Sequence, residues 1–226
     1  MMGKVIMSGI VPPLVAPVTG IQLGDIAEGS IVNLNENGSP AEFYVAKHDY
    51  ESALNGAGRT LLVRKDCYDA RAWHRPNVNA YASSVIDAWL NGDYKALLDA
   101  GVQNIIGTTK FYYTPGNGDT TVVTLERSIF LLSVTELGLK DNYANVEGTA
   151  LPISSTLRMA YLNGSLVNQW TRSPKTDVTN RVWESGTNGG FGYNFCTYAY
   201  GSRPAFTLPS GACFDEETML FNGKIA

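Results

Sequence analysis

Residues 201–208 read Gly-Ser-Arg-Pro-Ala-Phe-Thr-Leu, and this stretch says most about the fold. Because Pro204 biases the preceding residue toward extended backbone, Arg203 enters an apolar strand that begins at Ala205. Alternate residues of such a strand point into the core. A buried arginine needs carbonyl acceptors, and an unpaired buried acceptor costs about 1–3 kcal/mol. We therefore predict that Arg203 organises the core by bonding to the loops after Trp170, and that it does not bind a ligand.

A second arginine lies in a similar context. Residues 170–174 are Trp-Thr-Arg-Ser-Pro, where Arg172 again stands close to a proline and an aromatic ring. The planar guanidinium group can bridge several backbone carbonyls at once, or it can stack on a ring. We interpret both arginines as buried ties between irregular loops, with a ligand-facing arginine as the alternative.

The chain around these two arginines is rich in aromatic residues. Residues 163–209 contain eight aromatic side chains among many Gly, Asn, Ser and Thr residues. This composition favours short strands joined by irregular loops over helices. Residues 186–192 are glycine-rich, but they include no lysine and no helix follows them. They predict a flexible loop and not a phosphate site.

The N-terminal half predicts an antiparallel meander. Strand-type residues occupy 30–34, 42–47 and 60–64. A tight-turn signal at Asn37-Gly38 and the Gly-Ala-Gly segment 56–58 separate these three stretches. Strands that follow one another across short turns are expected to pair antiparallel.

The middle of the chain predicts short helices. Asn79 or Ser83 caps a first helix, which ends at Asn91-Gly92. A second helix covers residues 93–100 and ends at Gly101. Further elements are predicted in chain order: strands over 108–113, 121–125 and 128–133, and one helical turn over 157–162.

Composition limits the classes of partner. The 226-residue chain carries a formal net charge of −4, and only 17% of its residues are charged. No basic surface that would bind nucleic acid is therefore expected. No run of apolar residues reaches the roughly 18 needed to span a bilayer, so we do not expect membrane insertion.

The first 20 residues form a separate segment. Pro12, Pro13 and Pro17 interrupt its apolar stretch, and no cleavage site of small residues follows. We predict an extended proline-rich arm over 1–20 and no signal peptide, so the protein is made in a cytoplasm. Residues 21–226 are long enough for a single domain with its own core.

Side chains suited to catalysis or metal binding are few. Cys67, Cys196 and Cys213 form no Cys-x-x-Cys pair, and with two histidines no zinc spacing arises. We therefore predict free buried thiols and no metal. The acidic run at 215–217 is interpreted as solvated, with a hard-cation site as the alternative. We predict no catalytic residue and no cofactor.

Three motifs in chain order resemble a family of uncharacterised domains that is common in Firmicutes and their phages. They are Trp-Leu-Asn-Gly at 89–92, Trp-Thr-Arg-Ser-Pro at 170–174 and Gly-Ser-Arg-Pro-Ala-Phe at 201–206, and the similarity extends over roughly residues 20–210. The family looks related to the C-type-lectin-like fold of formylglycine-generating enzymes and of phage receptor-binding proteins diversified by retroelements. The resemblance implies an α+β, C-type-lectin-like fold with antiparallel strands, two or three short helices and long irregular loops.

The chemistry of those related proteins is not expected here. Formylglycine-generating enzymes bind copper through closely spaced cysteines, whereas Cys196 and Cys213 lie 17 residues apart. The Glu-Pro-Asn, Gln-Pro-Asp and Trp-Asn-Asp motifs of calcium-dependent lectins do not occur. The resemblance therefore implies a fold and not an activity, and an enzyme of the formylglycine-generating type is a remote alternative.

The resemblance and the composition together favour a non-enzymatic phage virion protein at the tail or fibre tip. Its expected partner is a host cell-surface protein or glycan. Rigid aromatic rings among adaptable polar side chains suit such recognition, as they do in antibody loops. We predict a binding face that comprises Trp183, Asn188, Tyr193, Asn194, Tyr198 and Tyr200.

The alternative is a structural virion component, such as a capsid decoration or tail-assembly protein. Residues 1–20 would then attach the chain to other virion proteins, and a homo-oligomer is compatible with either role. Exposed rings over residues 183–200 favour recognition, whereas rings buried against a neighbouring subunit favour the structural role.

Overall fold

A computed structural model describes residues 20–226 of the protein, so the predicted arm over 1–20 lies outside the described residues except for Gly20. The described chain consists mostly of β-strands in several antiparallel sheets, with a few short helices. In chain order the strands are β1 (Ile21–Gln22), β2 (Ile31–Glu36), β3 (Ser39–Lys47), β4 (Arg59–Arg64), β5 (Asp69–Ala72), β6 (Thr109–Tyr113), β7 (Val123–Arg127), β8 (Ala160–Leu162), β9 (Ser165–Val167), β10 (Gln169–Pro174), β11 (Arg181–Ser185), β12 (Phe191–Phe195), β13 (Ala199–Ser202), β14 (Ala205–Pro209), β15 (Ala212–Phe214) and β16 (Phe221–Ile225).

The helical segments of the described chain are short, and none is both long and apolar enough to cross a membrane. The α-helices are α1 (Ser52–Asn55), α2 (Val85–Trp89), α3 (Ala100–Ile105) and α4 (Ser154–Leu157). Single 3₁₀ turns occupy Leu23–Asp25, Tyr81–Ser83 and Lys95–Leu97, and a π-helical turn occupies Leu90–Tyr94.

The predicted meander is confirmed. Strands β2, β3 and β4 pair antiparallel in this order, and β14 completes a four-stranded sheet beside β4. Asn37 and Gly38 have φ angles of 52° and 77°, the positive values that a tight hairpin turn between β2 and β3 requires. Strand β14 brings Phe206 opposite Leu62 and 5.4 Å from the ring of Phe43.

A second sheet contains most of the aromatic region. Its strand order is β12-β11-β10-β13-β5, and its pairs are antiparallel except for β10 with β13. Every residue of β10 is buried, whereas β12 forms an edge of the sheet. The smaller sheets are β1-β15-β16 and the hairpins β6–β7 and β8–β9. The β6–β7 hairpin matches two predicted strands within about two residues.

One hydrophobic cluster runs through the described chain, from Leu23 to Phe214. The three cysteines are free and buried, as predicted. Burial raises the pKa of the Cys67 and Cys196 thiols to about 12, because an apolar environment disfavours the thiolate. These thiols are therefore poor nucleophiles in the folded protein.

Arg203 is buried and bonded to carbonyl oxygens, which confirms its predicted role in the core. Its Nε donates to the carbonyl of Arg64, and its Nη1 donates to that of Leu157, each at 2.7 Å. The prediction that these carbonyls belong to the loops after Trp170 is wrong. Strand β14 pairs with β4, so Arg203 lies beside the end of β4 and not beside the end of β10.

The cap of the first predicted helix is Ser84, and neither Asn79 nor Ser83. Ser84 Oγ accepts a hydrogen bond from the N–H of Asp87 at 3.2 Å. Asn79 is buried, and its Nδ2 donates instead to the carbonyls at 178 and 181. Its partners lie about 100 residues away along the chain, so a local cap prediction misses them.

The predicted helix end at Asn91-Gly92 is wrong, because helical turns continue through residues 90–97. The Asn91 side chain is used elsewhere: its Nδ2 donates to the carbonyl of Ile129 at 2.9 Å, and its Oδ1 accepts the N–H of the same residue at 3.1 Å. The second predicted helix, 93–100, is confirmed as helical over residues 93–97, but it continues the first helix without a break and ends at residue 97. Helix α3 begins where that helix was expected to end, and it includes Gly101.

The predicted strand over 128–133 and the predicted helical turn over 157–162 are wrong as well. In the first segment only Phe130 makes a strand-like bridge, with Ala205, and other backbone groups bond to side chains. In the second segment α4 ends at residue 157, and residues 160–162 form β8, which pairs with β9 across Asn163-Gly164. A long-range partner decides the structure of the first segment, whereas the second folds as a local hairpin.

Candidate functional site

The hairpin of β11 and β12 separates the predicted binding residues onto two faces. In its antiparallel register Trp183 lies opposite Tyr193, and Glu184 lies opposite Gly192. Because side chains alternate along a strand, the first pair shares one face of the hairpin and the second pair shares the other. The hairpin therefore offers two adjoining surfaces.

Rings and cations alternate on the Tyr193 face. Lys175 Nζ lies 4.2 Å from the ring centroid of Tyr143 and 4.7 Å from that of Tyr193. Arg181 Cζ lies 5.5 Å from the Tyr193 centroid and 4.8 Å from that of Phe195. Each such contact is worth about 0.5–2 kcal/mol, so the rings are held in place. We call this surface the cation–aromatic ridge, defined by Tyr143, Lys175, Arg181, Tyr193 and Phe195.

Trp183 supports the ridge from below and is not an exposed ring. Only 4% of its surface is accessible, whereas Tyr193 is 42% exposed. The Trp183 ring meets Tyr193 edge-on, with centroids 5.3 Å apart, and its Nε1 donates to the carbonyl of Tyr143 at 3.0 Å. Of the two predicted residues, Tyr193 is the one that this chain leaves open to a partner.

Asn194, Tyr198 and Tyr200 form a cluster that begins at the end of β12. Asn194 Nδ2 donates to the hydroxyl of Tyr200 at 2.7 Å. The Tyr200 ring packs on Trp170, with centroids 4.7 Å apart, and it meets Tyr198 edge-on at 6.4 Å. Tyr198 is 48% exposed. We call these three residues the tyrosine–asparagine cluster.

A depression of about 300 Å³ opens on the Glu184 side of the hairpin. Glu184 is only 7% exposed, and its Oε2 accepts a hydrogen bond from Asn168 Nδ2 at 3.1 Å. Within residues 20–226, its Oε1 accepts no hydrogen bond and neither oxygen pairs with a lysine or arginine. We call this depression the Glu184 pocket; its lining residues are Asn168, Glu184, Gly186, Thr187, Asn188, Gly190, Phe191 and Gly192.

Glu184 can occupy its position because the residue opposite it in the hairpin, Gly192, has no side chain. A Cβ atom at Gly192 would lie 2.9 Å from Glu184 Oε1, so only glycine lets the carboxylate occupy this place without a shift. Burial raises the pKa of Glu184, and the hydrogen bond from Asn168 opposes this rise. The pocket therefore presents a largely buried carboxylate whose Oε1 is open to solvent and which has no counter-ion in the described chain.

Tyr200 connects the tyrosine–asparagine cluster to the Glu184 pocket. Burial and the nearby Glu184 carboxylate raise the pKa of the Tyr200 hydroxyl, while hydrogen bonding to Asn168 and Asn194 opposes the rise. The hydroxyl is thus close to polar groups of both surfaces. A ligand that bridges the two would contact the edge of Tyr200.

The structure brings together three of the six predicted site residues, Asn194, Tyr198 and Tyr200. It places Trp183 and Tyr193 on the other face of the hairpin, and it places Asn188 on the rim of the Glu184 pocket. Sequence reasoning missed Glu184 and Asn168. The available signal was an acidic residue in the middle of the strand-type run 181–185, followed by a glycine-rich segment.

His48 and the C-terminal acidic run make their contacts away from this hairpin, whereas the backbone N–H of His74 donates to the carbonyl of Cys196, one residue after β12, at 2.9 Å. The His48 ring bonds to Thr60 Oγ1 and to the carbonyl of Ile26, both at 2.9 Å. Asp215 Oδ1 accepts the N–H groups of Glu217 and Thr218, which closes a local turn. Throughout the described range, no group of three or more His, Cys, Asp or Glu side chains is arranged to hold a metal ion.

Comparison with known protein families places most of this architecture in one family. Residues 57–210 match the model of a family described as a domain of unknown function, DUF6273. This chain belongs to the DUF6273 family. The DUF6273 match includes both buried arginines, the ridge strands and the Glu184 pocket, and it excludes β1 to β3, β15 and β16. No curated protein and no solved structure matches the chain significantly.

Proposed function

We propose that this DUF6273 protein is a non-enzymatic bacteriophage virion protein that binds a host cell-surface ligand. Its place would be the tail or fibre tip, its scaffold a C-type-lectin-like fold, and its ligand a host protein or glycan. The virion setting and the fold name are supported by the resemblance of the three sequence motifs. The binding role is supported by the geometry of the ridge and the tyrosine–asparagine cluster.

One observation carries the binding role: Tyr193 and Tyr198 are exposed and yet rigidly supported. Tyr193 packs edge-on against Trp183, and Tyr198 packs edge-on against Tyr200. Aromatic side chains held in this way lose little conformational entropy on binding. Binding energy at interfaces concentrates in such aromatic residues.

Cell adsorption of the fluorescently labelled full chain tests this role. The probe is a panel of Firmicutes cells, and the variant is Tyr198→Ala. Tyr161→Ala is the matched control, because Tyr161 is 45% exposed on the separate β8–β9 hairpin. We expect Tyr198→Ala to weaken adsorption at least tenfold, as loss of a central aromatic contact does, and Tyr161→Ala to leave it unchanged. Equal adsorption of the two variants contradicts the proposed face.

The virion setting has its own test. Antibodies against the chain should label intact phage particles at the tail tip. Labelling of the capsid, combined with no adsorption of the chain to any cell, would favour the structural alternative of a capsid decoration protein. Labelling of no particle contradicts both virion roles.

A further inference from the structure

We propose that the Glu184 pocket binds the primary ammonium group of a host-surface ligand, and that an amino sugar carries this group. The inference rests on the proposed host-recognition function and names the chemistry that one of its surfaces recognises. It concerns a site other than the exposed rings of Tyr193 and Tyr198, so the experiments below distinguish its failure from that of the recognition function.

The charge of the pocket points to a cationic ligand. Glu184 has no lysine or arginine partner among residues 20–226. Arg158 is close to the pocket wall, but its Cζ lies 5.4 Å from the Phe191 centroid and its Nε donates to the carbonyl of Leu137. A buried carboxylate without a positive partner is unfavourable, and an ammonium ion supplies both the charge and three donors.

The geometry of the pocket admits such a group. Glu184 Oε1 is the unpartnered oxygen, and it faces the side of the pocket that Gly192 leaves open. Gly186, Gly190 and Gly192 line the same space, so this part of the wall carries no side chain that would obstruct a sugar ring. The volume of about 300 Å³ is sufficient for a single small ring or side chain.

The rim of the pocket favours an amino sugar over a lysine side chain. Thr187 and Asn188 line the pocket, and neither Thr187 Oγ1 nor Asn188 Nδ2 makes a hydrogen bond to another group in the described chain. Together they offer a donor and an acceptor beyond the carboxylate. A lysine side chain has no hydroxyl groups to use them, whereas an amino sugar has several.

Calorimetry and thermal shift with small probes test this proposal on the full chain. The probes are glucosamine, glucose, N-acetylglucosamine and the amide of Nα-acetyl-lysine. We expect glucosamine to bind at least tenfold more tightly than glucose or N-acetylglucosamine, which lack the ammonium group, and to raise the melting temperature. Equal binding of glucose and glucosamine, or no binding of any amine, overturns the proposal.

Two variants locate the binding. Glu184→Gln keeps the shape of the side chain and the acceptor for Asn168, so it should fold, and it should abolish the thermal shift caused by glucosamine. Thr187→Val, at an exposed position, should weaken the binding of glucosamine severalfold and leave the binding of the lysine amide unchanged. A lysine amide that binds more tightly than glucosamine would overturn the amino-sugar assignment, and a Glu184→Gln protein that still binds glucosamine would overturn the site.

The outcome is separable from the proposed host recognition. If amines do not bind but cell adsorption still depends on Tyr198, the pocket inference fails and the recognition role stands. If glucosamine binds through Glu184 but no cell adsorbs the chain, the recognition role fails and the amine site stands.

Discussion

Arg172 Nη1 donates a hydrogen bond to Glu136 Oε2 at 2.7 Å, and both side chains are fully buried. Glu136 also accepts bonds from the hydroxyl of Tyr50 and from the N–H of Ser133, and Arg172 donates to the carbonyl of Leu131. The pair therefore ties β10, which carries the Trp-Thr-Arg-Ser-Pro motif, to two irregular segments. Charge and hydrogen bonds, not a longer sheet, stabilise this part of the core.

Loss of Arg172 should destabilise the chain strongly. Arg172→Leu leaves Glu136 as a buried charge without its partner, which typically costs about 3–5 kcal/mol. Equilibrium unfolding in urea, followed by tryptophan fluorescence, measures this loss. Lys110→Ala is the control, because Lys110 pairs with Glu126 at 3.1 Å on the surface, where such pairs contribute about 1 kcal/mol or less. Similar losses for the two variants would contradict the role assigned to the buried pair.

Arg203 should stabilise the protein without taking part in ligand binding. Arg203→Ala leaves the carbonyls of Arg64 and Leu157 without their donors, at a cost of about 1–3 kcal/mol or more. For a chain of this length that corresponds to a fall in melting temperature of roughly 2–12 °C. Tyr198→Ala should stay within about 1 kcal/mol of the wild type. Melting curves for both variants, with cell adsorption measured in parallel, distinguish the core residue from the binding residue. If Tyr198→Ala unfolded the domain and Arg203→Ala only abolished adsorption, the two assignments would be reversed.

The stability of the chain should depend on pH through Glu184. Burial raises the pKa of this carboxyl above its ordinary value of 4.5. Because the folded state binds the proton more tightly, this contribution to stability is present below the ordinary value and is lost as the pH rises through the folded-state pKa. The glutamine of the Glu184→Gln variant does not ionise, so the variant should not lose this stability as the pH rises.

We therefore expect the difference in unfolding free energy between Glu184→Gln and wild type to grow in favour of the variant as the pH rises from below 4.5 to neutral. Urea unfolding at a series of pH values measures this difference. Glu217→Gln, at an exposed position, is the control for the loss of one surface carboxylate. A difference that stays constant with pH would mean that the Glu184 pKa is not raised in the folded state.

The thiols should be protected from reagents in the folded protein. All three cysteines are buried, and burial raises the pKa of Cys67 and Cys196 to about 12. Thiolate, the reactive form, is therefore scarce at about pH 8. A chromogenic disulfide reagent should react slowly with the native chain and should titrate three thiols after denaturation in guanidinium chloride. Rapid native reaction would show that these segments open readily.

Local sequence signals predicted the elements that depend on local physics. The Asn37-Gly38 turn and the meander of β2, β3 and β4 follow from positive φ at the turn and from strand-type residues on either side. The helix signals failed where a side chain had a distant partner. Asn79 and Asn91 have the chemistry of helix caps and stops, but the structure uses their amides to bond to loops far along the chain.

The candidate site, too, was predicted from the sequence only in part. Composition alone indicated that aromatic and asparagine residues near 183–200 form a surface, and Asn194, Tyr198 and Tyr200 do lie together. Composition did not indicate that Trp183 is buried beneath Tyr193, because this depends on the loop that contains Tyr143. It also gave no prediction of Glu184 as part of a pocket.

The sequence by itself determined that the chain is rich in short strands, that its thiols are buried and that Arg203 belongs to the core, because turn residues, side-chain alternation and the needs of a buried guanidinium act over a few residues. Only the tertiary structure decided which loops Arg203 joins and which face of the β11–β12 hairpin Glu184 occupies. Those outcomes depend on strand pairs such as β14 with β4, whose members are more than 100 residues apart along the chain. Pairing at such distances is set by the packing of the whole core and not by the residues on either side.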